Sequence, residues 1–224
     1  MSKKMMLLAL AAVSAVMFVL PAAASANWGV TPGNAEFTGS GPAGALFAEG
    51  EPTIRCEGPN TGSGKYDGTG TTGSISLHFT KCSTTIIFRF PCSNTASPSS
   101  ETITTAGTFH NVTVTTAGKR GILVTPNNTV IKCESVGNAI TVSGSIIGEV
   151  TSPTAPCPTV TKTIGLKFGV SGGSQVHKTI VGSATEYDLS ATTAGGSAVT
   201  AALEATATNT FTNPKEVTLD CSTP

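Results

Sequence analysis

Residues 169–177 read GVSGGSQVH, and the first five letters fit Gly-x-Ser-x-Gly. That spacing carries the nucleophilic serine of many hydrolases, where a sharp strand-to-helix turn exposes the hydroxyl. Ser171 would be the nucleophile and His177 the base. The partners fail on chain order: His177 is the last histidine, so no acid-then-histidine follows Ser171, and the run after Gly173 is β-prone rather than helical. GVSGG is also similar to the GDSGG of trypsin-like proteases, but no Asp lies between His78 or His110 and Ser171. The stretch is therefore read as a glycine turn of a hairpin, joining KTIGLKF to a strand carrying His177.

Other residues invite chemistry less strongly. PNTGSGKYDG resembles a phosphate loop, but Pro59 stands where its first glycine is needed and Tyr66 follows Lys65 in place of Ser or Thr. EGPNTGSGKYDGTGTTG is read as one flexible, glycine-rich loop. Within it KYDGTGTTG offers calcium a single Asp, Asp67, without the Asp/Asn alternation of a calcium loop. Glu134, Glu149, Glu186 and Asp188 are the carboxylates that a glycoside hydrolase could recruit, a pairing only the fold can supply. Aromatic faces for sugar stacking are scarce: one tryptophan, Trp28, and two tyrosines, Tyr66 and Tyr187. His78, His110 and His177 lie far apart and read as strand surface residues. Asn111 and Asn127 begin Asn-x-Thr sequons, relevant only in a glycosylating pathway.

Six cysteines stand at Cys56, Cys82, Cys92, Cys133, Cys157 and Cys221. An even number in an exported chain reads as three disulfides, with fifteen possible connectivities. Zinc is set aside, since there is no Cys-x-x-Cys pair and no histidine beside a cysteine. The preferred bridge is Cys82–Cys92, closing a short loop around STTIIFRFP. Cys221 is expected to tie down the C-terminal strand.

The elements that would position these residues are strands. Serine and threonine make about a quarter of the chain, and only 12% of residues are charged. Threonine, valine and isoleucine suit a pleated, half-buried surface. GSISLHFTKC alternates cleanly, Ile75, Leu77 and Phe79 facing one way and Ser76, His78 and Thr80 the other. ALFAEGEPTIRC predicts two short strands, IIFRF another, and ETITTAGTFHNVTVTTA one or two. RGILVTP, TVIKCES, KTIGLKFGV, VHKTIVG, TEYDLSAT and EVTLDC predict one each. AITVSGSIIGEVTSP predicts a long strand with a bulge or bend at Gly144. SAVTAALEATATNTF is read as a strand, although its Ala, Leu and Glu are good helix formers. Such an array of short strands separated by turns predicts an all-β fold, an antiparallel β-sandwich or jelly-roll-like architecture.

The chain opens with Lys3 and Lys4, an apolar run from Met5 to Leu20, Pro21, and then Ala24-Ser25-Ala26. This is the pattern of a secretory signal peptide, with cleavage expected after Ala26. The mature chain, 27–224, is expected to be one secreted domain, with a weak division at the Pro-rich segment 151–159. No later apolar run is long enough to span a bilayer. Removing two of 13 basic residues leaves 11 against 13 acidic, a net charge of about −2. That balance gives no basic footprint for nucleic acid.

The segments GTGTTGSISLHFTKC, PCSN, ETITTAGTFHNVTV, GILVTP, VIKC and ITVSGSIIGEVTSP carry one resemblance. Over residues 54–155 the chain resembles an uncharacterised family of exported, cysteine-containing all-β proteins from soil-dwelling, high-GC Gram-positive bacteria. It departs at Ser99-Ser100-Glu101, where the family has a glycine before the Ile-x-Thr run. The resemblance implies export, compactness and disulfides. It implies no activity, so no catalytic residue is carried over.

The functional expectation is a secreted or cell-surface binding or structural module without enzymatic activity, cofactor or metal. Its expected partner is a cell-wall polysaccharide or an extracellular protein. The alternative is a secreted hydrolase acting on cell-wall or plant polysaccharide through strand-borne carboxylates.

Overall fold

A computed structural model of the protein describes residues 28–95, 100–115, 119–134 and 136–221. The expected signal segment, 1–26, and Ser99 lie outside them. The described residues are strands and connections. Among them no helix is long and apolar enough to cross a membrane.

The chain begins with β1 (Gly29–Thr31) and then makes eight antiparallel passes. The first is β2 (Glu36–Gly41) and β3 (Gly44–Ala48), the second β4 (Ile54–Cys56) and β5 (Asn60–Tyr66). The third is β6 (Thr72–Phe79) and β7 (Cys82–Thr85), the fourth β8 (Arg89–Ser93) and β9 (Ile103–Val114). Next come β10 (Lys119–Pro126) with β11 (Thr129–Cys133), then β12 (Val136–Gly144) with β13 (Ile146–Ser152). After the short β14 (Thr159–Thr161), the seventh pass is β15 (Thr163–Phe168) and β18 (Leu189–Thr193). A hairpin, β16 (Val170–Ser171) and β17 (Ser174–Gln175), lies between these two. The eighth pass is one unbroken strand, β19 (Ala198–Asn213), and β20 (Val217–Asp220) follows.

Each pass pairs with its neighbours in sequence, and the last returns to the first. Phe211 of β19 faces Phe37 of β2, and Leu203 faces Leu46 of β3. On its other side β19 pairs with β15 at Ala205–Thr210 and with β18 at Ala198–Ala201. The result is a closed, eight-stranded, up-and-down barrel whose passes are bent near mid-height. This differs from the expected sandwich or jelly roll. Strand count and alternation are the same in both architectures. Only the long-range pairing of β19 with β2 and β3 closes the ring and removes the sheet edges.

Local chemistry explains the bends. Gly144 ends β12 with φ +99°, so the sixth pass breaks where the sequence predicts. In the seventh pass the chain leaves the ring between Phe168 and Leu189. There the Gln175 side chain stands in for the missing strand: its Nε2 donates to Leu203 O (3.3 Å) and its Oε1 accepts from Leu203 N (3.1 Å). The backbone groups of β19 are thereby satisfied across the gap.

Outside the barrel, residues 169–188 cover a small second core of Val112, Val114, Leu123, Ile147, Ile180 and Tyr187. At one end, β1, β20 and β14 form a three-stranded sheet. Trp28, Val30, Val217 and Leu219 from this cap join the barrel's main buried cluster. Trp28 is fully buried, and its Nε1 donates to Val112 O (3.0 Å) and Gly121 O (3.2 Å). The Pro-rich segment 151–159 belongs to this end, where Cys157 bonds Cys221 of the last strand's edge.

The expected Cys82–Cys92 bridge is not formed. The bonds are Cys56–Cys82, Cys92–Cys133 and Cys157–Cys221. Ser83 pairs with Pro91 across the β7–β8 hairpin, which brings Cys82 and Cys92 to neighbouring strands. Each instead bonds the strand on its far side, where Cys56 faces Cys82 and Cys133 faces Cys92 in direct register. Three further expectations change. The glycine-rich loop contains a strand, β5, and VHKTIVG forms a covering segment touching β9 through the single bridge Val114–Ile180. IIFRF is split: Ile86, Ile87 and Phe88 make an exposed hairpin tip, and β8 begins at Arg89.

Candidate functional site

The inside of the barrel is apolar because each pass turns a row of apolar or glycine positions inward, while β9, β10 and β13 also carry the outward apolar residues of the second core. On β6 these are Ile75, Leu77 and Phe79, while Ser74, Ser76 and His78 point out. On β19 the outward positions are Thr206, Thr208, Thr210 and Thr212, and Ala205, Ala207, Asn209 and Phe211 point in. An outer-membrane barrel has the opposite alternation, apolar outside and polar within.

Inward glycines make room for rings. A Cβ on Gly64 would lie 2.3 Å from Phe37, and one on Gly73 2.6 Å from Phe109. Phe37, Tyr66, Phe109 and Phe211 thereby form an edge-to-face cluster toward the capped end, with centroids 4.9–6.3 Å apart. Burial pushes the Tyr66 hydroxyl above its usual range, against the hydrogen bond with Asn111.

Beyond these rings the lumen is not filled. Two adjoining lobes remain, with volumes of about 90 and 80 Å³. Leu77, Phe79, Val124, Ile146 and Leu203 border both. The upper lobe adds Leu46, Ile54, Ile131 and Leu189, and the lower adds Phe37, Ile122, Leu166 and Phe168. Among the described residues, no Asp, Glu, Lys, Arg or His lines either lobe. Eight strands set a barrel at the size that side chains just fill or that holds one small ligand. Apolar space of this kind stays dry: an engineered 150 Å³ cavity in another protein remains empty of water and takes up benzene.

The residues singled out by sequence lie outside the lumen. Ser171 pairs with Ser174 across a two-residue turn, Gly172 (φ +59°) and Gly173 (φ +81°). The hairpin reading stands, although His177 lies just past β17. Among the described residues the Ser171 hydroxyl makes no hydrogen bond. His177 turns to an acid instead: its Nε2 is 3.1 Å from Glu149 Oε2, and Lys119 Nζ holds Glu149 Oε1 at 2.5 Å. Hydrogen bonding from Lys119 foremost, and from His177, holds the Glu149 carboxyl below its usual range against the effect of burial. The His177 Nδ1 is buried without a partner. This is a histidine–acid pair with no nucleophile hydrogen-bonded to it among the described residues.

The other carboxylates are dispersed. Asp188 pairs with Lys178 (2.5 Å), while Glu134 and Glu186 are exposed. Asp67 accepts from the Thr69 amide (3.0 Å), the Thr69 hydroxyl (2.6 Å) and the Thr72 hydroxyl, which lower its pKa and occupy its oxygens. His78 and His110 are exposed on β6 and β9, as expected, whereas His177 is buried and off the strands, drawn in by its contact with Glu149. Asn111 is 1% exposed and bonded to Tyr66 and Gly70, so that sequon is inaccessible, whereas Asn127 is exposed. Trp28, Tyr66 and Tyr187 are buried and offer no stacking face to a sugar.

The lumen residues were present in the sequence as alternating apolar positions, but alternation does not report whether facing strands meet. No protein-family model, curated protein or solved structure matches this chain.

Proposed function

We propose that the protein is an exported, non-enzymatic binding protein that holds one small apolar molecule inside its barrel. The observation carrying this reading is the pair of adjoining apolar lobes, about 90 and 80 Å³, in a barrel whose outward positions on β6 and β19 are mostly serine and threonine. Export is supported by the signal-like segment 1–26, by the resemblance to an exported family, and by three disulfides of the kind that persist in oxidising compartments. The hydrolase alternative draws less support, because Glu149 and Asp188 are engaged by basic partners and lie away from the lumen.

An NMR titration of the mature protein with benzene and with hexane tests the reading. Saturable shifts centred on Leu77, Phe79, Val124 and Leu203 are expected. Shifts that grow linearly and scatter over the surface would refute a lumen site.

A second reading concerns the outer face. Register aligns Thr208, Ser40, Thr61, His78 and Thr104 in one row across five strands, and Thr210, Thr38, Ser63 and Ser76 in the next. These rows supply regularly spaced hydroxyls for a cell-wall polysaccharide. Co-sedimentation with purified cell walls, lost on replacing Thr38, Ser63 and Ser76 by lysine, is the expected result.

A further inference from the structure

The lumen is apolar everywhere but at a few points, and one of those is unlike the rest. Asn209, on an inward position of β19, is 8% exposed and borders the lower lobe. The other buried amide side chains are engaged by the protein itself. Asn60 Nδ2 donates to Pro42 O and its Oδ1 accepts from Thr80 N. Asn111 is held by Tyr66 and Gly70, and Gln175 by Gly169 and Leu203. The Asn209 amide has no hydrogen-bond partner among the described residues. It is seated in a notch of missing side chains: Asn209 faces Gly39, which faces Gly62, and a Cβ on Gly39 would lie 2.6 Å from Asn209 Oδ1.

A buried amide normally finds partners in the protein, and one left over at a cavity wall is placed to bond what enters the cavity. We propose that Asn209 is the polar anchor of the lumen. The ligand is then a small neutral amphiphile, a short apolar body carrying one hydroxyl or carbonyl. Neutrality follows from the lining: with no charged side chain on either lobe among the described residues, an ionised head would be buried unpaired. A hydroxyl suits the site best, since the amide offers both an N–H donor and a carbonyl acceptor. This rests on the lumen reading above and adds to it the head group and the residue that selects it.

The probes are hexane, 1-hexanol and hexanoate, titrated at neutral pH into the mature protein and its Asn209→Leu variant. The ratio of 1-hexanol to hexane affinity should fall about threefold to tenfold in the variant, the worth of one neutral hydrogen bond. Hexane affinity should be retained, which also reports that the variant is folded. Hexanoate should bind the wild type at least about tenfold more weakly than 1-hexanol. An unchanged ratio, or hexanoate binding as well as the alcohol, overturns the anchor while leaving the lumen reading intact. Failure of the wild type to bind any of the three overturns the lumen reading itself. Should the variant not fold, the wild-type Asn209 side-chain amide resonances decide: they are expected to shift with 1-hexanol and not with hexane, and equal shifts overturn the proposal.

Discussion

Replacing Ala205 by leucine would place three extra carbons in the lower lobe, because Ala205 occupies an inward position of β19 on its wall. A void of about 80 Å³, at about 24 cal/mol per Å³, corresponds to about 2 kcal/mol of packing not realised. Burial of three methylene-sized groups at about 0.8 kcal/mol each gives about 2.4 kcal/mol, an independent figure of the same size. Ordering the leucine rotamers costs about 0.5–1 kcal/mol. The substitution should therefore stabilise the barrel by about 1–1.5 kcal/mol, or about 2–6 °C in Tm for a domain of this length. Thermal and urea melts of residues 27–224 measure this, and the hexane titration should lose its saturable shifts at Phe37 and Leu166. A loss of about 1 kcal/mol or more, the usual result of overpacking a filled core, would refute the existence of the void in solution.

Gly64→Ala sets a methyl against the Phe37 ring at 2.3 Å and should cost about 1–3 kcal/mol, measured by the same melts; a neutral result would show the ring free to move. Glu149 should contribute to acid stability. Its folded pKa lies below the ordinary 4.5 through Lys119 first and then His177. The stabilisation is therefore full above about pH 4.5 and is lost as pH falls through the folded value. Glu149→Gln should flatten the stability-versus-pH curve in that acid range, and an unaltered slope counts against the pairing. Non-reducing peptide mapping should recover linked pairs 56–82, 92–133 and 157–221. A linked 82–92 peptide would contradict the register of β7 with β4.

Strand positions were legible where apolar and polar residues alternate. Ile75, Leu77 and Phe79 turn inward as the sequence implies, and the bend at Gly144 falls where glycine interrupts the pattern. Strand β5 was hidden, since its inward positions Gly62 and Gly64 carry no side chain to mark the period. The six-residue strand β2 was obscured for the same reason by Gly39 and Gly41. Closure was not legible at all. Nothing in EFTGSG or in ATATNTF announces that these segments pair, because pairing partners of a sheet are fixed by the whole arrangement rather than by local pattern. The lumen depends on that closure, so the candidate site was invisible while most of its residues were in plain view. Asn209 likewise reads as one more polar residue in a threonine-rich strand until its parity along β19 is known.

The pairing of the first pass with the last also sets a clock on maturation. Glu36 O accepts from the Thr212 hydroxyl across 176 residues of chain, and β19 is the only pass that closes both of its seams at the end of synthesis. Until β19 arrives, β2 and β3 on one side and β15 and β18 on the other are bare sheet edges, the surfaces most open to pairing with another chain. Contacts this distant in sequence form slowly. A chain delivered from its N-terminus first would therefore wait as an open, adhesive sheet and become a closed ring of strands in its last step. Loss of the final 25 or so residues would leave those edges open and turn the chain into an aggregation seed rather than a slightly weaker barrel.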